Sequence, residues 1–192
     1  MDWLEEEAVA YQSIEKETNN FKWRRKKINR ANVADYNGTP LVEPERESGV
    51  FSLFLILSNI EKDMFPFQII DYDTHEGIDV IAKGDRTTPI SSAKIFYVEF
   101  KRNLTSIFNH SFENVHSIVC WDTEIKHDET VKDIRGKGWK LQIIQPANVN
   151  DYTRYFLYNE RNPRAVEVFV LKYYLKEKYN IDFKPRTKDA IV

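Results

Sequence analysis

The spacing of apolar positions changes period along the chain. Residues 4–30, LEEEAVAYQSIEKETNNFKWRRKKINR, carry few apolar side chains, at Val9, Ile14, Phe21 and Trp23. Glu5, Glu6 and Glu7 open this segment, and Lys22, Arg24, Arg25, Lys26, Lys27 and Arg30 close it. That order suits a helix macrodipole, so a charged helix is expected. It cannot bury itself alone; it packs on a partner or continues from something upstream. Residues 31–46 contain Asn37-Gly38, Pro40 and Pro44 and read as a turn-rich linker. The expected division is therefore a charged helix with its linker over 1–46 and a folded α/β domain over 47–192.

Residues 47–60, ESGVFSLFLILSNI, are apolar on several helical faces, which predicts a buried helix. A strand of that length would be unusual. The period then shortens. FQIIDY (67–72), IDVIA (78–82) and KIFYVEFKRNL (94–104) predict three strands, with a turn over 74–77 and a loop over 83–93. Phe108, Phe112 and Val115 are spaced as on a short helix, 108–115. SIVCW (117–121) and WKLQII (139–144) predict strands separated by a charged loop, and YFLY (155–158) an edge strand. Asn162-Pro163 reads as an N-cap and first helical position opening a helix over 164–179. The expected fold class is α/β: a central mixed sheet flanked by helices, preceded by the charged helix.

Composition narrows the setting. Lys and Arg number 28 against 30 Asp and Glu, a net charge of −2, which argues against a histone-like cationic coat but leaves room for a local basic stripe. The single cysteine, Cys120, excludes an intramolecular disulfide framework and any zinc site of two or more cysteines. No apolar run is long enough to span a bilayer, and the acidic start is unlike a signal peptide. A cytoplasmic protein with no membrane partner is expected.

Three charged residues fall inside the apolar strands. Asp79 interrupts Ile78–Ile81, and Glu99 and Lys101 interrupt Ile95–Phe100 and its continuation. Alternation puts Glu99 and Lys101 on one face of their strand, opposite Phe96, Val98 and Phe100. An acid in each of two neighbouring core strands is costly unless compensated. A divalent cation, Mg²⁺ or Mn²⁺, compensates both, since it takes oxygen ligands and keeps several waters. Lys101 is then placed to orient the attacking water or to neutralise charge on a phosphate. Glu47 opens the buried helix on the face of Phe51 and Phe54, and is positioned to reach the metal or its water.

At Glu47, Asp79 and Glu99-Phe100-Lys101 the sequence resembles the PD-(D/E)XK nuclease superfamily, over residues 47–145. The resemblance implies an αβββαβ core and a metal-dependent nuclease that hydrolyses phosphodiester bonds in DNA, with RNA open. Asp79, Glu99 and Glu47 would be its metal ligands and Lys101 a catalytic residue. DYDTHEGIDVIAKGD, YVEFKRNL and FNHSFENVHSIVCWD are more closely similar to a C-terminal domain of bacterial histidine-kinase-type (GHKL) ATPases, some of them suspected in anti-phage defence. No ATPase motif or glycine-rich lid is present here, so the resemblance implies a separated nuclease-like domain. A GHKL-type ATPase domain or subunit, or a second copy of the chain as a homodimer, are the protein partners to consider.

Plainer readings compete with these. Asp79 and Glu99 can be a structural acid pair with Lys101 or an arginine. Glu47 can serve the helix dipole alone. His110 is either a contact to phosphate or metal-bound water, or a helix-surface residue. His116 reads as structural, Cys120 as a buried thiol, and Asp71 and Asp73 as hairpin caps that could lend an outer-shell carboxylate. The run Trp23, Arg24, Arg25, Lys26, Lys27 can hold phosphates or simply end a solvated helix. The alternative function is a catalytically silent module of the same fold that binds nucleic acid or a partner ATPase.

Overall fold

The computed structural model describes residues 3–74 and 78–186. Most of the expected 74–77 turn lies outside these residues. The charged helix forms as α1 (Trp3–Ile28), with Arg25, Lys26 and Lys27 in its last turn. Residues 31–46, expected as a linker, instead form a hairpin of β1 (Asn32–Tyr36) and β2 (Thr39–Val42). Asn37 and Gly38 both adopt positive φ, 52° and 76°, as a type I′ turn requires. The hairpin is joined to the body. Leu41 is buried in the main core, and Trp121 Nε1 donates to Glu43 Oε1 at 2.9 Å. Near the other end of the chain, β11 (Lys184–Pro185) pairs with β1.

The apolar helix appears as α2 (Glu47–Ile60), burying Val50, Phe51, Leu53, Phe54 and Leu57. The strands that follow are β3 (Gln68–Asp73), β4 (Ile78–Lys83), β5 (Ile95–Leu104), β6 (Val115–Thr123), β7 (Thr130–Lys132), β8 (Gly138–Ile144), β9 (Arg154–Asn159) and β10 (Asn162–Val170). They make one sheet in the order β3-β4-β5-β6-β10-β9-β8-β7. β6 runs parallel to both β5 and β10, and the other pairs are antiparallel, so the sheet is mixed and the class is α/β. One face carries Val80, Val98, Phe100, Val119, Trp121 and Phe169 beneath α2 and α3 (Leu171–Tyr179). Phe51 and Phe54 meet Phe100 edge-on, with ring centroids 5.1 and 5.3 Å apart.

The opposite face curls around a second core of Ile118, Cys120, Leu141, Leu157, Val166 and Val168, and this explains two departures from expectation. Residues 108–115 do not form a helix. Phe108 N–H donates to Lys132 O at 2.8 Å, and Lys132 N–H donates to Ser106 O at 2.9 Å, so the β5–β6 connection is held sideways by β7. His110 O accepts instead from Ile134 N–H at 3.3 Å and Asn114 N–H turns to Ser111 O at 3.1 Å, so the helical i to i−4 bond between Asn114 and His110 is not made. The spacing that suggested a helix serves the curl: Phe108 stacks on Phe112 at 4.7 Å, and Phe112 packs on Trp139. Residues 164–170 are likewise strand, with helix confined to Leu171–Tyr179. Val166, Val168 and Val170 alternate at period two and suit a central strand, while Pro163 sits at the strand start, where its missing N–H is tolerated. No helix among the described residues is long and apolar enough to cross a membrane.

Candidate metal centre

β4 and β5 pair so that Asp79 stands directly opposite Glu99. Cross-strand partners share a face, and this face is the one turned away from α2. Glu99 is fully buried, while Asp79 keeps a side-chain exposure of 22%. The turned-in loop after β5 brings His110 over the pair. Its Nε2 lies 3.3 Å from Glu99 Oε1 and 3.9 Å from Asp79 Oδ1. One ligand atom each from Asp79, Glu99 and His110 falls within a 4.8 Å span. Asn109 Nδ2 lies 3.0 Å from the same His110 nitrogen.

The electrostatics of this cluster are unresolved by protein groups alone. Asp79 Oδ1 and Glu99 Oε2 are both buried without a hydrogen-bond partner. Burial first, then the hydrogen bond with Asp79, pushes the Glu99 carboxyl up to about 8, with Lys101 opposing. Two carboxylates facing each other, one of them fully buried, are relieved by a shared proton or a cation. The orphaned oxygens and the imidazole therefore fit a divalent cation, and the nitrogen ligand suits Mn²⁺ better than the harder Mg²⁺.

Lys101 Nζ donates to Glu99 Oε1 and lies 3.6 Å from Glu47 Oε2 in the first turn of α2. The second contact arises because β5 outruns β4: the last register pair among the described residues joins Ile78 to Phe100, one position before Lys101. The structure thus brings Asp79, Glu99, Lys101 and His110 together, with Glu47 reaching them through the lysine.

A third acid joins the row. Asp73 on β3 is the register partner of Asp79, so Asp73, Asp79 and Glu99 cross three strands at one level. Sequence reasoning treated Asp73 chiefly as a hairpin cap. The signal that could have placed it was the short turn, which in a tight antiparallel hairpin sets residue 73 against 79. Tyr97, two positions before Glu99, faces the same row. Burial and then the charges of Asp79, Glu99 and Asp73 push its hydroxyl up.

The basic run stands apart from the acids. Arg24, Arg25 and Lys26 are exposed, and Lys27 pairs with Glu45 while lying 5.5 Å above the Trp23 ring. Trp23, Arg24 and Lys27 line a groove of about 610 Å³ with Pro44, Arg46 and Ser48. The first turn of α2 is common to both regions: Arg46 and Ser48 face the groove, and Glu47 faces Lys101. His116 stacks on Phe96 at 4.0 Å and bonds Ser117 Oγ, with its pKa lowered chiefly by burial. Burial pushes the Cys120 thiol up to about 12, which makes it unreactive. Comparison of the chain with family models, curated proteins and solved structures gave no significant match to any of them.

Proposed function

We propose that this chain is a metal-dependent phosphodiesterase acting on DNA. The observation carrying this reading is the fully buried Glu99, whose Oε2 shares with Asp79 Oδ1 the lack of any hydrogen-bond partner, beside an imidazole nitrogen and a lysine. Asp79, Glu99 and His110 would hold Mg²⁺ or Mn²⁺, which supplies Lewis-acid polarisation of a phosphoryl oxygen and a more acidic water. Lys101, which donates to Glu99 Oε1 and lies beside Glu47, would be placed to orient the phosphate or the attacking water. Glu47, 3.6 Å from the lysine, positions it. The groove lined by Trp23, Arg24, Lys27 and Arg46 offers a path for the phosphate backbone leading to the first turn of α2. The PD-(D/E)XK likeness of Glu47, Asp79 and Glu99-Phe100-Lys101 supports the same reading. The GHKL-type partner and the defence setting rest on sequence resemblance alone.

One observation favours the silent-module reading: Lys101 Nζ is already engaged with Glu99 Oε1 in the resting site. A single experiment separates the two. Linear, circular and single-stranded DNA, with RNA alongside, are incubated with Mg²⁺ or Mn²⁺ and with wild type, Asp79→Asn or Lys101→Ala. Metal-dependent cleavage abolished in Asp79→Asn supports the enzyme. Absence of cleavage, with unchanged thermal stability on adding either metal, refutes it.

A further inference from the structure

α1 carries an apolar stripe that faces away from the rest of the chain. Tyr11, Ile14 and Phe21 are 69%, 59% and 68% exposed. With Thr18 and Arg25 they follow steps of three and four, the spacing of a coiled-coil seam. Trp23 and Lys27, which tie the helix end to the body through the groove and Glu45, project from roughly the opposite side at about 100° per residue. The contacts that fix α1 therefore leave the stripe open.

We propose that the stripe pairs with α1 of a second copy of this chain, antiparallel, about a two-fold axis near residue 16. The stripe is nearly palindromic. When position i faces 32−i of the partner helix, Tyr11 meets Phe21, Ile14 meets Thr18, and Glu7 meets Arg25. Each layer occurs twice by symmetry, as an isologous contact requires. The charge order selects the direction. The acidic start of α1 lies against the basic end of its partner, whereas a parallel pair stacks Glu7 on Glu7 and Arg25 on Arg25 within the seam. Glu15 faces Glu17 of the partner helix beside the axis, on solvated flanks where repulsion is weak.

The full chain, examined by analytical ultracentrifugation over a concentration series, should sediment as a dimer. Phe21→Asp should give a monomer whose circular dichroism retains the folded sheet. Glu7→Arg and Arg25→Glu should each weaken the dimer by ~10-fold or more, and the double exchange should restore it. Direction is read by oxidative cross-linking. Ile14→Cys mixed with Thr18→Cys should cross-link, while either variant alone should not. A monomeric wild type, or a dimer indifferent to Phe21→Asp, overturns the proposal and leaves the stripe to a different helix, such as one from a partner ATPase. Cross-linking of Ile14→Cys alone overturns the antiparallel arrangement. None of these measurements depends on nuclease activity.

Discussion

Replacing Glu99 by Gln should stabilise the metal-free protein progressively as pH rises. Glu99 is wholly buried and its carboxyl is raised from 4.5 to about 8. The folded state therefore holds a proton that the unfolded chain releases at lower pH. The contribution of Glu99 to wild-type stability is fully present below about pH 4.5, is lost as pH rises through the window to about 8, and is gone above it. Between about pH 5 and pH 8 the loss from this group is on the order of 3 kcal/mol, or roughly 10 °C in Tm for a chain of this size. Glutamine carries no proton to lose, so Glu99→Gln should not show this decline. The assay is urea or thermal denaturation of both proteins in chelator across this range, reading the difference between them. Saturating Mn²⁺ should flatten the wild-type curve and leave the variant unmoved, because the cation replaces the proton. Parallel curves for the two proteins, or wild-type stability rising with pH, would refute the reasoning. Glu99 would then be an ordinary carboxylate satisfied by Lys101.

Mn²⁺ should raise the Tm of wild type, and Asp79→Asn should abolish that shift; His110→Ala should weaken Mn²⁺ more than Mg²⁺, as calorimetric titration would show. Lys101→Ala should retain metal binding and cut turnover by ~10²-fold or more, measured as single-turnover cleavage; loss of folding instead would mark the lysine as a structural counter-ion. Arg164 Nη2 donates to the carbonyls of Phe112, Glu113 and Val115 at 3.2, 3.1 and 2.6 Å. Arg164→Ala should cost about 1–2 kcal/mol in denaturation and raise the Mn²⁺ dissociation constant by loosening the loop that carries His110.

The carboxylate pair was readable from the strings themselves. A charge inside Ile78–Ile81 and another inside Ile95–Phe100 stand out against apolar neighbours, and alternation assigns the shared face of Glu99 and Lys101. The consecutive pairing of β3, β4 and β5 beneath α2 was readable for the same reason. What escaped was set by distant partners. Asn37-Gly38 is a hairpin signal, but the strands beside it are short and draw their stability from β11 and Trp121. Asn162-Pro163 resembles a helix start, and only pairing with β6 and β9 makes the following residues a strand. His110 was placed on the polar face of a helix that does not form. It reaches the acids because β7 and Arg164 hold its loop, and neither contact leaves a local trace in residues 108–115.

The hold of β7 on residues 106–108 has a consequence for the order of events during folding. The strand acids can assemble from a hairpin and its neighbour, contacts close in sequence. The imidazole arrives only when the far edge of the sheet has swung round and captured the β5–β6 connection, and that closure needs a long chain loop to be organised first. A nascent or partly opened chain would carry Asp79 and Glu99 in register before His110 is held over them. On the nuclease reading proposed above, it would acquire cation affinity and hydrolytic competence later than it acquires shape.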